Sequence, residues 1–175
     1  MPRIHVCALS RIHEVSTAIG AKTLVTLINT STLVERPGVI HADDHLFLGM
    51  SDIVAPMEGE TLPADGHVSE LLAFVEKWDR AHPLLIHCYA GVSRSTAAAF
   101  IAACALDPER PEAEIAQRIR ALSPTATPNA MLVEIADRLL GRGGRMSAAV
   151  SAMGRGVECF EGVPFALDMP RPGSV

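Results

Sequence analysis

The sequence predicts an α/β domain with a central, mostly parallel sheet of about four to five strands flanked by helices. Short runs of β-branched and other apolar residues alternate along the chain with longer segments of helical periodicity, as in parallel sheets. A length of 175 residues suits one domain with its own core, and 49% of the residues are hydrophobic while 20% are charged. The chain is therefore expected to fold as a globular protein.

Four apolar runs bounded by turn residues predict the strands. They occupy residues 4–8, 23–29, 45–50 and 83–87. A loop with turn chemistry, SDIVAPMEGETLPADG, follows the third run over residues 51–66.

Apolar residues spaced three and four apart predict the helices. The helices occupy residues 11–21, a segment that starts near Pro63, Ala64 and Asp65, and residues 93–106, 111–122 and 129–141. The second of them is predicted from the stripe Val68, Leu71, Leu72, Val75 and Trp78.

The last part of the chain is rich in glycine, proline and arginine. We assign residues 1–145 to the main domain and residues 146–175 to a C-terminal extension. The far end of this extension is expected to be loosely held. Phe160 and Phe165 are its candidates for folding back onto the domain.

Charge and composition disfavour several classes of protein. The net charge is −5 without clustered basic residues, so nucleic acid is not an expected partner. The longest apolar run, residues 97–106, is too short to cross a bilayer, so no membrane partner is expected. Cysteines without paired spacing indicate reduced thiols and a cytoplasmic location, and scattered histidines predict no metal or other cofactor. The oligomeric state stays open.

The segment HCYAGVSRST, residues 87–96, follows the fourth predicted strand and leads into a predicted helix. The strand delivers Cys88 to the carboxyl edge of the sheet, where open α/β folds bind ligands. The first amides of the helix near Ser93 have no partner within it and would bind a phosphate in the loop. Gly91 permits close backbone approach, and Arg94 offers a planar fork that matches two phosphate oxygens. The same groups would stabilise a thiolate, which predicts that Cys88 is a nucleophile.

A second C-x5-R copy shows that the spacing alone is uninformative. Cys104 and Arg110, in CALDPER, have the same separation, but acidic residues and a proline stand between them and glycine is absent. We interpret Cys104 as a buried helix residue. The first copy is distinguished by the preceding strand and by His87, Gly91 and Ser95.

The loop HCYAGVSRST resembles the signature of the cysteine-dependent protein tyrosine and dual-specificity phosphatases, His-Cys-x-x-Gly-x-x-Arg-Ser/Thr. The resemblance implies their fold and a metal-independent reaction in which Cys88 forms a phosphocysteine. Ser95 matches the hydroxyl that hydrogen-bonds the cysteine sulfur and helps to break down the intermediate, and His87 matches a residue that orients the cysteine. The resemblance also implies a phosphate cradle made by Arg94 and by Tyr89, Ala90, Gly91, Val92 and Ser93.

Such a reaction gains from a general acid that protonates the leaving oxygen. The candidates are Asp43, Asp44, Asp52, Glu58, Glu60 and Asp65. Asp52 is preferred because it follows the strand HLFLGM, and because LGMSDI resembles the family segment in which an aspartate and an aliphatic residue end that region. Asp65 is the second choice, although an N-cap would explain it. The remaining four carboxylates are interpreted as solvated turn or surface charges.

Pro128 and Asn129 open a late helix, as a Pro-Asn pair does in many dual-specificity relatives, where the asparagine braces the catalytic loops. The following Gly-Phe of the family is replaced here by Ala130 and Met131. An ordinary N-cap would explain Asn129 equally well.

The expected substrate is a phosphomonoester, either a phosphorylated protein or a small molecule. The interior of the loop carries no lysine or arginine, which relatives acting on phosphoinositides or inositol phosphates often place there, although Arg142 and Arg145 could supply charge from elsewhere. Two further classes of function stay open: a catalytically silent phosphate-binding module, and sulfur transfer or arsenate reduction on a related loop. Cys7 or Cys104 could also form a regulatory disulfide with Cys88.

Overall fold

The computed structural model of the chain describes residues 1–171. One sheet contains the strands β1 (Arg3–Ala8), β2 (Thr23–Ile28), β3 (His45–Gly49), β4 (Leu84–Cys88) and β5 (Phe165–Asp168). Their order is β3-β2-β4-β1-β5, with β1 to β4 parallel and β5 antiparallel to β1. The predicted α/β class and the mostly parallel sheet are confirmed.

The helices cover both faces of this sheet, and the first five lie close to the predicted positions, whereas the sixth was not predicted. They are α1 (Ile12–Ile19), α2 (Asp65–Glu76), α3 (Arg94–Leu106), α4 (Glu112–Leu122), α5 (Ala130–Leu139) and α6 (Arg145–Met153), with short 3₁₀ turns at Leu9–Arg11 and Ala42–Asp44. Helix α3 is buried from Arg94 to Cys104, because its alanine-rich sequence lets neighbouring helices and strands approach closely. Within residues 1–171, no helix combines the length and apolar character needed to span a bilayer.

The C-terminal region is more ordered than the sequence suggested. Helix α6 packs on α4 and α5, and β5 extends the sheet beside β1. In β5 the side chains alternate, so that Phe165 and Leu167 are buried in the core. The prediction of a loosely held end is therefore wrong for residues 146–169. Phe165 does fold back onto the domain, whereas Phe160 is 83% exposed.

Candidate active site

The loop of residues 88–94 joins β4 to α3 at the carboxyl edge of the sheet. Cys88 ends β4 and is buried, and Arg94 begins α3. Gly91 turns the loop with a φ of 71°, and a Cβ on it would lie 2.8 Å from the backbone of Cys7 and of Ala8. Only glycine fits there, because any side chain would meet both an unfavourable φ and the end of β1.

Two polar groups contact the sulfur of Cys88. The amide of Gly91 donates to Sγ at 3.3 Å, and the buried hydroxyl of Ser95 lies 3.1 Å from the same atom. Ser95 belongs to the first turn of α3, where the positive end of the helix dipole lies. These groups would stabilise a negative charge on the sulfur.

The guanidinium of Arg94 is oriented by acceptors that follow two neighbouring strands. Its Nη1 donates to Oδ1 of Asn29 at 2.8 Å and to the carbonyl of Met50 at 2.7 Å. Its Nε is the one fully buried side-chain nitrogen or oxygen within residues 1–171 that has no hydrogen-bond partner. A buried unpaired donor costs about 1–3 kcal/mol, so an acceptor brought to Nε would be stabilised by a comparable amount. The sequence analysis did not predict Asn29 as a site residue. Its position as a polar residue directly after a buried strand could have indicated it.

His87 is fully buried and lies in a chain of hydrogen bonds that ends at the nucleophile. Its Nδ1 is 3.2 Å from the carbonyl of Cys88, its Nε2 is 2.7 Å from the hydroxyl of Thr26, and that hydroxyl is 2.8 Å from Nε2 of His45. A carbonyl oxygen only accepts, so Nδ1 of His87 donates to it. The Thr26 hydroxyl then donates to His87 and accepts from His45. No sequence pattern pointed to Thr26, which meets His87 through the register of β2 and β4.

Stability is expected to depend on pH through His87. Burial lowers the pKa of its ring from 6.5 to about 4. The unfolded chain therefore takes up a proton first as the pH falls, and stability that is present above pH 6.5 is lost toward pH 4. Burial also lowers the pKa of His5 and of His45, which acts in the same direction.

We expect the free energy of unfolding, measured by urea denaturation, to be about 2 kcal/mol lower at pH 5 than at pH 7. The variant His41→Gln, which changes an exposed histidine, should keep this difference. Equal or greater stability at pH 5 would contradict the assignment of this pH dependence to buried, neutral His87.

Asp52, the preferred candidate for the general acid, lies against the loop. Its Oδ1 accepts hydrogen bonds from the hydroxyl of Ser93 at 2.7 Å and from Nδ2 of Asn129 at 2.9 Å. Asn129 also caps α5, because its Oδ1 accepts from the amide of Leu132 at 3.1 Å. Both interpretations of Asn129 therefore hold together: it caps the helix and braces the Asp52 segment.

The remaining candidate carboxylates lie elsewhere. Asp65 is the first residue of α2, after the cap position, and its carboxylate pairs with Arg138 at 2.6 Å, so its interpretation as an N-cap is wrong. Asp43 and Asp44 precede β3 and lie at the amino edge of the parallel strands. Glu58 and Glu60 are exposed, although the carboxylate of Glu60 accepts a hydrogen bond from the hydroxyl of Ser51, directly before Asp52.

The two arginines considered as extra phosphate ligands are engaged at another site. Arg142 and Arg145 pair with the buried carboxylate of Glu112, at the start of α4, at 3.3 and 3.1 Å. Arg142 also donates to the carbonyl of Cys104, near the end of α3 that is remote from the loop. They therefore do not supply charge to the loop.

The remaining buried cysteines differ from Cys88 in their surroundings. Burial raises the pKa of Cys7 and of Cys104 to about 12, so both are thiols at neutral pH. Cys104 is a buried helix residue, as predicted. A regulatory disulfide with Cys88 stays a prediction.

The chain matches no protein-family model and no curated protein sequence. Its fold is similar to that of several solved structures. Human DUSP28 has a TM-score of 0.59 at 18% identity, covering 79% of this chain and 94% of that one. DUSP15 has a TM-score of 0.62 at 16% identity, covering 87% and 92%. PTPMT1 in complex with PI(5)P has a TM-score of 0.58 at 13% identity, covering 85% and 92%. At these identities the similarity establishes the fold.

Proposed function

We propose that this chain, which has the fold of the tyrosine and dual-specificity phosphatases, hydrolyses phosphomonoesters on proteins through a phosphocysteine intermediate. The observation that carries the proposal is the buried guanidinium of Arg94. It is oriented by two acceptors, yet its Nε has no partner, and the loop that it closes begins at Cys88. A tetrahedral dianion such as a phosphoryl group would satisfy both this donor and the first amides of α3.

The reaction proceeds in two steps. The Cys88 thiolate attacks phosphorus, the ester P–O bond breaks, and Asp52 gives its proton to the leaving oxygen. Water then attacks the phosphocysteine, Asp52 accepts a proton from that water, and the S–P bond breaks to release inorganic phosphate. The hydroxyl of Ser95 stabilises the departing thiolate. Arg94 and the loop amides stabilise the charge on the phosphoryl oxygens in both steps.

The test is hydrolysis of p-nitrophenyl phosphate in the presence of a chelator, followed by rapid acid quench and peptide mass spectrometry. We expect turnover together with a phosphorylated peptide that contains Cys88. Turnover without a phosphorylated peptide that contains Cys88 would contradict the mechanism. Phosphate binding without turnover would favour a catalytically silent module.

Replacing the general acid should change the dependence on the leaving group. In the variant Asp52→Asn, we expect kcat for phosphotyrosine to fall by about 10²–10³-fold, because an unprotonated leaving oxygen is expelled slowly. The fall should be smaller for p-nitrophenyl phosphate, whose leaving group departs without a proton. The matched control is Asp65→Asn, which removes a carboxylate paired on the surface with Arg138. Equal losses for the two substrates in Asp52→Asn would assign the acid to another group.

A further inference from the structure

The segment between α6 and β5, residues 154–163, crosses the catalytic loop as a strap. The amide of Gly162 donates to the carbonyl of Ala90, inside the loop, at 2.9 Å. The amide of Gly156 donates to Oγ1 of Thr127 at 3.0 Å. Both ends of the strap are thus attached to the loop or to the segment that packs on it.

Close backbone approach holds the strap in place. A Cβ on Gly162 would lie 2.9 Å from the carbonyl oxygen of Gly91, and one on Gly156 would lie 2.5 Å from the carbonyl of Thr125. The hydroxyl of Ser10 also donates to the carboxylate of Glu161 at 3.0 Å. The strap is therefore attached beside the loop and borders it on one side.

The strap forms one side of a groove of about 1270 Å³. Asp52 and Ser93, which border the catalytic loop, are among its lining residues. Val157 and Phe160 also line it and are 66% and 83% exposed. The volume exceeds the roughly 300–1,000 Å³ of small-molecule pockets, so the groove suits an extended ligand. Exposed apolar side chains grouped beside a site are typical of a binding surface.

The charges of the groove select the kind of ligand. Glu134 and Glu158 lie along it, and the arginine among its described lining residues, Arg155, pairs with Glu158 at 3.3 Å. This negative balance opposes a polyphosphorylated inositol or an anionic membrane surface. It favours a chain that carries one phosphoryl group with neutral and basic groups beside it.

We infer that this groove binds the residues that flank the phosphorylated residue of a protein substrate. An apolar side chain of the substrate packs on Phe160 and Val157, and a basic one faces Glu134. The inference rests on the proposed function and adds to it a substrate class: phosphopeptides with apolar and basic flanking residues.

The test measures peptide binding by the Cys88→Ser protein, which needs no turnover. The probes are fluorescent phosphotyrosine nonapeptides that carry one leucine and one arginine at positions scanned on either side of the phosphotyrosine, with glycine elsewhere. A matched set carries glycine and glutamate at those positions. We expect the best leucine–arginine peptide to bind about tenfold more tightly than its matched partner by fluorescence anisotropy, and the double variant Phe160→Ala with Glu134→Gln to remove most of that preference. The control Leu139→Ala, at the far end of α5 from Asn129, should retain it.

Equal binding of the two peptide sets would overturn the inference, and so would a preference that survives the double variant. Tighter binding of vesicles that contain a phosphorylated inositol lipid would also overturn it. These results are separate from the proposed function, which fails if the wild type gives neither turnover of p-nitrophenyl phosphate nor phosphorylated Cys88. A preference for the leucine–arginine peptides without turnover would support peptide binding in the groove but not the proposed function.

Discussion

Replacing Cys88 by serine is expected to lower kcat for p-nitrophenyl phosphate by about 10⁴-fold or more, as removal of a catalytic nucleophile does elsewhere. A serine hydroxyl is a far weaker nucleophile than a cysteine sulfur that the Gly91 amide and the Ser95 hydroxyl contact. The fold should be kept, because serine is nearly isosteric with cysteine. The measurement is initial rate with a chelator present, together with a thermal melt.

The matched control comes from the second C-x5-R copy in the chain. Cys104→Ala removes a buried thiol of α3 that lies away from the loop, and it should retain most of the activity at a small cost in stability. Activity that survives Cys88→Ser, or that is lost equally in both variants, would mean that phosphocysteine does not form on this loop.

The variant Arg94→Lys should lower kcat/KM for the same substrate by about 10²–10³-fold, although charge is conserved. In Arg94, Nη1 contacts Asn29 and Met50 while Nε stays free for an anion. Lysine has a single nitrogen and cannot fill both positions. Because we propose that the guanidinium binds the phosphoryl group in both the ground state and the transition state, KM and the inhibition constant of inorganic phosphate should both rise.

Arg110→Lys is the corresponding control, since Arg110 occupies the matching position of the second copy, beyond the end of α3. It should leave both constants unchanged. An Arg94→Lys protein that binds phosphate as tightly as the wild type would show that the unpaired Nε does not face the anion.

Several features of this protein could be predicted from the sequence because they depend on neighbouring residues. The period of apolar residues indicated the first five helices and the first four strands, and the run from Leu84 to Ser95 contains strand, candidate nucleophile, turn glycine and helix start in order. One local turn closes such a loop. Its residues therefore come together without help from distant segments of the chain. The preference for Asp52 over Asp65 followed from its place after a strand, and the structure puts Asp52 against the loop.

The remaining features depended on which strands lie side by side, and this is decided by packing between distant segments. Thr26 and His45 reach His87 only because β2 pairs with both β3 and β4, and Asn29 reaches Arg94 for the same reason. The strap was missed because its glycines carry no side-chain pattern. Their role is to let two backbones approach closely, and that approach exists only once α6 and β5 have packed on the core. Local chemistry thus determined the proposed nucleophile and its loop. Tertiary packing decided which side chains hydrogen-bond to the loop residues and that the strap borders the loop.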